Sequence, residues 1–467
     1  MTSKIVVNNI ESDSGISSVT FTSDIELGTK NLKSTGIVTA TTFVGNLTGN
    51  PTGSGANLTN LPAAQLTGTL PAIDGSSLTG VGASFGNSSV NTSGIITATA
   101  FVSTSQGPLS HRNKVINGAM AVSQRATSKA MGNSENAYVC VDRFKIHNVH
   151  DGAVTVSQSS TSPDGFGKSL KFDVTTADTN LTTSQRLHII HYIEAQDLQD
   201  LGYGTSGAKE ARVSFYVRSN KTGNYTFALN QADNGYKNIS IQYTINSANT
   251  WERKSFIIPG DTAGVINDDN GTGIELYWWL AAGPTYTSGS LRSNWTAYSN
   301  GDFAAGQGVN LLDSTSNEFY LTGIQFEVGP VVTPFEHKSL QDEFHRCCRY
   351  YQKYGSSGQY NTFQDLRPIG HSSGVVEVMH DFRGIPMRTT PTVAFTNGSL
   401  YIRGCASTYV DTAVSLSGSN YALSSDGITH TGHFWVAPTS GSPFVACQGG
   451  RVTGVTNGAY IEFKAEL

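Results

Sequence analysis

Through residues 213–245 an apolar side chain recurs at every second position in three successive runs. Val213, Phe215 and Val217 alternate with Ser214, Tyr216 and Arg218; Tyr225, Phe227 and Leu229 repeat the pattern, then Ile239, Ile241, Tyr243 and Ile245. Successive side chains of an extended chain point to opposite faces, so this period places one face of each strand in a core and the other toward water. On a helix of period 3.6 the same residues would be scattered around the circumference. Phe319, Leu321 and Gln325–Val328 continue the pattern farther along. Many such runs with turn residues between them predict a sandwich of two antiparallel sheets over residues 111–336.

Composition agrees with a β-rich, turn-rich chain. Charged residues are 14% of the 467 positions, against about 25% in an ordinary globular protein. That excludes a coiled-coil rod, while 38% hydrophobic and 10% aromatic residues argue against disorder throughout. The net charge of −5 gives no basic footprint for nucleic acid. No apolar run is long enough to span a membrane, so no membrane insertion is expected. The start MTSKIVVNNI lacks a basic segment followed by an apolar block, so no secretory signal is expected. The Asn-x-Ser/Thr triplets at Asn46, Asn57, Asn224 and Asn294 then read as turns rather than glycosylation sites. Cys140, Cys347, Cys348, Cys405 and Cys447 show no metal-binding spacing and read as reduced, buried thiols of a chain made in the cytoplasm.

Three further stretches flank the sandwich. Residues 1–110 are repetitive: Ser34-Thr-Gly-Ile-Val-Thr-Ala-Thr-Thr-Phe-Val44 returns as Thr92-Ser-Gly-Ile-Ile-Thr-Ala-Thr-Ala-Phe-Val102, and Gly55-Ala-Asn-Leu-Thr-Asn-Leu61 is echoed by Gly75-Ser-Ser-Leu-Thr-Gly-Val81. One such short β unit cannot bury its apolar side chains alone. It must stack as a solenoid or wrap with identical chains about an axis; the small number and irregularity of the units favour intertwined chains. Residues 46–90, rich in Gly, Ser, Pro and Thr, also fit a flexible linker. Residues 337–353 predict one helix, capped by Ser339, with Asp342 and Glu343 in its first turn and Arg349 and Lys353 near its end. Leu340, Phe344, Cys347 or Cys348, and Tyr351 form its expected apolar stripe. Residues 354–467 return to β, with strands expected at 375–378, 392–395, 430–436 and 460–465.

Few motifs point to chemistry. Gly202-Tyr-Gly-Thr-Ser-Gly207 matches a dinucleotide fingerprint, yet a strand-like run follows it where a helix is required. Gly165-Phe-Gly-Lys-Ser169 lacks the first glycine of a phosphate loop and reads as a turn. His188 and His191 have metal-compatible spacing only on a helix, and their surroundings are strand-like. Asp268-Asp-Asn-Gly271 with Glu275 is oxygen-rich but fails the spacing of a calcium loop. No metal and no cofactor is expected. The aromatics carry more. In Tyr277-Trp278-Trp279, Trp278 points opposite to its neighbours, and Tyr286, Trp295 and Tyr298 follow in a loop-like stretch. Exposed rings of this kind cover the C–H face of a sugar while Asn, Asp and Gln bind its hydroxyls. Trp278, Tyr286, Trp295 and Tyr298 are therefore the candidate glycan-binding residues.

A set of short motifs resembles bacteriophage tail-fibre proteins over about half the chain. They are Asn113-Lys-Val-Ile-Asn-Gly118, Val141-Asp-Arg-Phe144, Pro163-Asp-Gly165 leading into Ser169-Leu-Lys171, and Val213-Ser-Phe-Tyr-Val217. Ile258-Pro-Gly-Asp-Thr262 and Trp279-Leu-Ala-Ala-Gly283 follow, then Thr322-Gly-Ile-Gln-Phe-Glu-Val-Gly329, Thr333-Pro-Phe-Glu336 and Cys348-Arg-Tyr-Tyr351. The Gly-Ile-x-Thr-Ala-Thr-x-Phe-Val repeats are similar to fibre proteins of phages of marine cyanobacteria. The resemblance implies a jelly-roll domain akin to carbohydrate-binding modules, a parallel homotrimer, and an N-terminus that attaches to other tail or baseplate proteins of the virion. The expected fold is all-β: an elongated homotrimeric fibre with a virion-attachment segment and stalk at 1–110, a jelly-roll sandwich at 111–336, a helical connector at 337–353 and a C-terminal β tip at 354–467. The expected function is adsorption of the virion to host surface polysaccharide, without enzymatic activity. A purely architectural appendage or adaptor is the alternative, and a glycan depolymerase on a fibre scaffold the second.

Overall fold

A computed structural model describes residues 37, 39, 110–233, 235–355, 366–372, 375–382, 384–396, 400–403, 411–415, 421–423, 431–438, 451–454 and 460–467. The chain divides into two units, Met1–Ile96 and Thr97–Leu467. The repeats of residues 1–110, Cys405 and Cys447 lie outside the described residues, save Ile37 and Thr39 and Ser110.

The alternating runs of the second unit fold into two antiparallel sheets, with strands numbered along the chain. The first sheet has the order β1 (Ser128–Met131), β4 (Ala153–Ser159), β5 (Ser169–Thr176), β13 (Glu318–Val328), β7 (Ala211–Ser219), β10 (Glu252–Ile258). The second runs β12 (Arg292–Ala297), β9 (Lys237–Ile245), β8 (Gly223–Gln231), β11 (Thr272–Ala282), β6 (Arg186–Glu194), β3 (Phe144–Val149), β2 (Glu135–Tyr138). Their facing side chains make one hydrophobic core. Val213, Phe215 and Val217 of β7, Tyr225, Phe227 and Leu229 of β8, and Ile239, Tyr243 and Ile245 of β9 are all buried in it. Chain-adjacent strands often fall in different sheets, so the two layers are stitched by crossovers as well as by packing.

Polar side chains close the sandwich where the strands end. The Asn113 side chain donates to the Ile324 carbonyl at 2.9 Å and accepts from the Val115 and Phe326 amides. Asn117, held at φ +62°, donates to the Val122 and Asp142 carbonyls. Glu327 accepts from the Thr333 hydroxyl and amide, and Glu336 accepts from the Asn113 amide. Between them β13 carries a register shift after Thr322, and Gly323 sits there at φ +63°. A Cβ at Gly323 would lie 2.8 Å from the Phe166 and Tyr216 rings, so only glycine fits this bulge.

Between β11 and β13 the chain makes an excursion containing the one-turn helices α1 (Pro284–Thr287) and α2 (Asn300–Phe303) and the edge strand β12. Asp302 organises it. Its carboxylate accepts from the Ser290 amide at 2.7 Å and from the Arg292 guanidinium, whose Nε lies 2.9 Å away.

The next helix, α3, spans Leu340–Cys348, shorter than the 337–353 expected. The Ser339 hydroxyl accepts from the Asp342 amide at 3.1 Å, the cap that the sequence predicts. Cys347 and Cys348 are buried, as expected, but Leu340 is 64% exposed while Glu343 is buried and accepts from the Asn117 amide. Tyr351 is not on the helix: it opens β14 (Tyr351–Gly355), which pairs with β23 (Tyr460–Lys464). Sheet pairing with a strand more than a hundred residues away overrides the local helical pattern here. β23 also pairs with β17 (Thr392–Thr396), giving a small sheet of order β14-β23-β17. A further sheet contains β15 (Leu366–Ser372), β16 (Val375–Asp381), β21 (Thr431–Pro438), β19 (Asp411–Ser415), β18 (Leu400–Arg403) and β22 (Arg451–Gly454), with β20 (Tyr421–Leu423) beside β21.

The residues after β23 return to the sandwich. Glu466 pairs with Arg143, which is 1% exposed, and with Arg125 at 2.8 Å. The Arg143 guanidinium lies 3.4 Å over the Tyr350 ring and donates to the Tyr192 carbonyl. Removing one member of such a buried pair leaves an uncompensated charge. Glu466→Gln should lower stability by about 3 kcal/mol, read as a fall in the urea midpoint by tryptophan fluorescence. A midpoint unchanged from the wild type would mean that Arg143 is neutralised by other groups.

Candidate functional site

The two faces of the second sheet differ. Along β6, Leu187, Ile189, His191 and Ile193 face the core; Arg186, His188, Ile190 and Tyr192 face away from it. The strand therefore splits His188 and His191 between opposite faces, so they are not a metal pair, and no group of three or more His, Cys, Asp or Glu side chains placed to hold a metal exists among the described residues. The same alternation divides the aromatics of β11. Trp278 is fully buried in the core, with ring centroids 5.2 Å from Phe227 and 5.7 Å from Phe215. Tyr277 and Trp279 face outward.

Strand register lines up the outward residues. His147 of β3 sits opposite His188, which sits opposite Trp279 of β11. In the next row Lys145, Ile190 and Tyr277 are neighbours. Asn136 of β2 stands beside His147. The α1–α2 excursion folds over one side of this face. Phe303 packs on Tyr277 at 4.5 Å and on Trp279 at 5.4 Å, Tyr286 lies 5.2 Å from Trp279, and Tyr298 lies 5.3 Å from Phe303.

The result is a cavity of about 280 Å³ lined by side chains of β2, β3, β6, β11 and the excursion. Its floor is aromatic, and its rim carries Asn136, Asn300, Arg186 and the partly exposed Tyr298. The Tyr298 hydroxyl donates to Asn300 Oδ1 at 2.8 Å. Among the described residues, no Asp or Glu lines the cavity. The nearby carboxylate, Glu275, is buried and accepts from the Tyr277 hydroxyl at 2.6 Å and from Asn230 at 2.9 Å. Burial raises its pKa, and those two hydrogen bonds partly oppose the rise.

Of the four residues expected to bind glycan, the structure brings two together. Tyr286 and Tyr298 line the cavity. Trp278 does not reach it, because strand alternation turns it into the core; Trp279 stands on the cavity side in its place. Trp295 is likewise elsewhere: its Nε1 donates to the Pro259 carbonyl at 2.8 Å and its ring meets Tyr203 edge-on. It serves as packing at the edge strand. Sequence reasoning did not single out Tyr277, Trp279, His147, Arg186 or His188 for this site. The period-two rule puts Tyr277 and Trp279 on one face of the strand and Trp278 on the other, but does not say which face is the core.

The imidazoles are held neutral. Burial, then the Arg186 and Lys145 charges, lower the His147 pKa to about 4. Burial also drives His188 well below its usual range, helped by His147 and Arg186. Neither ring nitrogen of His188 and not Nε1 of Trp279 has a hydrogen-bond partner among the described residues. A buried polar atom left so costs about 1–3 kcal/mol.

No protein-family model matches the sequence, and no curated protein matches it. Among solved structures, the enzymatically active domain of a bacteriophage CBA120 tailspike protein aligns at 10% identity and TM-score 0.24, over 46% of this chain and 21% of its own. The family 11 carbohydrate-binding module of a Clostridium thermocellum cellulosomal cellulase aligns at 13% identity and TM-score 0.23, over 45% of this chain and 98% of its own. A family 61 module in complex with β-1,4-galactotriose gives 12% identity and TM-score 0.22, over 46% and 99%. The chain thus spans about a fifth of the tailspike domain.

A pH test reports on His188 directly. Its folded-state pKa is depressed, so between about pH 6.5 and the lower folded value the unfolded chain binds a proton that the folded chain does not. Stability from this group is full above the unfolded value and is lost on acidification. Asp142, pushed up to about 6 by burial, acts in the opposite sense and is common to both proteins compared. Going from pH 7 to pH 5, His188→Leu should lose less stability than the wild type, by up to about 2 kcal/mol, in urea midpoints taken at both pH values. Equal losses would show that His188 protonates freely in the folded state.

Proposed function

We propose that the cavity on the outer face of the second sheet binds glycan, and that the chain is a virion tail-fibre protein that adsorbs to host surface polysaccharide. One observation carries the binding reading: an aromatic-floored cavity with amide and tyrosine groups at its rim and no carboxylate in its lining among the described residues. Flat rings match the C–H faces of a sugar, and Asn136, Asn300 and the tyrosine hydroxyls match its hydroxyl groups. Hydrolysis of a glycosidic bond by the usual route needs two facing carboxylates, so the lining favours retention over cleavage, and we assign no enzymatic activity. The motifs from Asn113 to Tyr351 support the fibre role, with three identical chains in parallel, an N-terminus joined to other tail or baseplate proteins, and location in the virion. A shallow site of this size binds weakly by itself. Three copies on one fibre raise avidity by about 10²–10⁴ when they engage together.

The test is binding of the full chain to a printed panel of neutral and acidic oligosaccharides, followed by calorimetry on those retained. Tyr298→Ala and Tyr286→Ala should each weaken binding about tenfold, the worth of one stacked ring, while Trp295→Phe should leave it unchanged. No retention by any oligosaccharide, or equal affinity in the tyrosine variants, would overturn the site. Shortening of the polysaccharide chain during incubation would replace binding by depolymerisation. A solution mass of one chain rather than three would overturn the fibre arrangement while leaving the cavity reading intact.

A further inference from the structure

Arg186 stands at the rim of the cavity with partners that carry no charge. Its Nη1 donates to the Ser184 carbonyl at 2.9 Å and to the Tyr286 hydroxyl. Its Nη2 lies 2.9 Å from His147 Nε2. With His147 neutral, that nitrogen accepts from the guanidinium. The Tyr286 ring lies 5.2 Å from the Arg186 carbon Cζ. No carboxylate forms an ion pair with Arg186 among the described residues, whereas most other arginines of the sandwich, including Arg112, Arg125, Arg143, Arg212 and Arg292, pair with one.

A guanidinium has five N–H donors. Three of the five on Arg186 are used, which leaves Nε–H and one Nη2–H. Two donors are what a carboxylate or sulfate takes in a bidentate contact. The side chain is half-buried, and its position is fixed by Tyr286 and His147, so little entropy remains to be lost on binding. A second cation stands on the same face. Lys145, two residues from His147 on β3, lies 5.4 Å over the Tyr192 ring and likewise has no ion-pair partner within 4 Å among the described residues. Glu275 acts on it through space but is buried, with Tyr277 and Asn230 already donating to it. Lys145 is outside the lining, where Glu275 and Glu466 both act on it, so Arg186 is the one charged side chain in the lining among the described residues, on a protein whose net charge is −5.

We infer that Arg186 makes this a site for acidic glycan, with the carboxylate of a uronate or the ester of a sulfated sugar on its free N–H edge and the sugar ring against Tyr286 and Tyr298. The inference rests on the glycan-binding reading of the same cavity. The ligand keeps its covalent structure throughout.

The experiment is calorimetry of the full chain with tetragalacturonate, a sulfated carrageenan tetrasaccharide and neutral β-1,4-galactotetraose, each at low and high salt. At least one acidic oligosaccharide should bind about tenfold more tightly than the neutral one, the worth of one charge-assisted contact. The gap should shrink at high salt. Which of the two acids binds distinguishes carboxylate from sulfate. Arg186→Gln should abolish the gap and Arg186→Lys should keep part of it, with the urea midpoint confirming that both variants fold. The salt dependence of the wild type gives the same answer without a variant. Equal or tighter binding of galactotetraose, or a gap that survives in Arg186→Gln, would overturn the acid preference and leave the glycan site standing. No binding of any of the three would overturn the acid preference, and the glycan site with it where the printed panel also retains nothing.

Discussion

The two-sidedness of β11 is the constraint on which the rest depends. This strand is central in its sheet, hydrogen-bonded to β6 on one edge and β8 on the other. Its pleat sends Trp278 into the common core of both sheets and Tyr277 and Trp279 to the opposite side. A one-residue slip of register would exchange the two sets. It would expose a core tryptophan and remove the cavity floor in the same step. The core side of β11 fixes the register, and the register aligns His147, His188 and Trp279 across three strands.

The short motifs between Asn113 and Tyr351 have a physical explanation that is mostly architectural. Asn113, Asn117, Gln325, Glu327, Thr333 and Glu336 spend their polar groups on backbone amides and carbonyls or on one another at the ends of the strands. Glu336 accepts from the Asn113 amide, and despite partial burial these bonds and the Lys338 ammonium hold its carboxyl at about 2. Buried polar groups that are fully partnered specify one arrangement of chain ends more sharply than apolar contacts do. Such motifs report the scaffold. The cavity residues Arg186, His147 and His188 belong to none of them.

Much of the fold was legible because its signal is local. The alternating runs at Val213–Val217, Tyr225–Leu229 and Ile239–Ile245 became β7, β8 and β9, and the strands expected near residues 375, 392, 430 and 460 became β16, β17, β21 and β23. The Ser339 cap was legible for the same reason. The helix end was not, since Tyr351 is drawn into pairing with Lys464, a partner that no local pattern announces. The site was half legible. Tyr286 and Tyr298 could be picked as loop aromatics, but choosing Trp278 over Trp279 required knowing which side of β11 meets the other sheet. Arg186 and His147 become neighbours only through the pairing of β3 with β6, and sequence spacing carries no trace of it.

The Arg143–Glu466 pair joins residues 323 positions apart. Contacts of such separation form late, because the entropy of closing a long loop must be met before they can contribute. During synthesis, the part of the chain carrying Arg143 emerges well before Glu466 exists. Burying Arg143 before Glu466 arrives would leave its charge less compensated, so this corner ties the early strands of the sandwich to a late part of the chain.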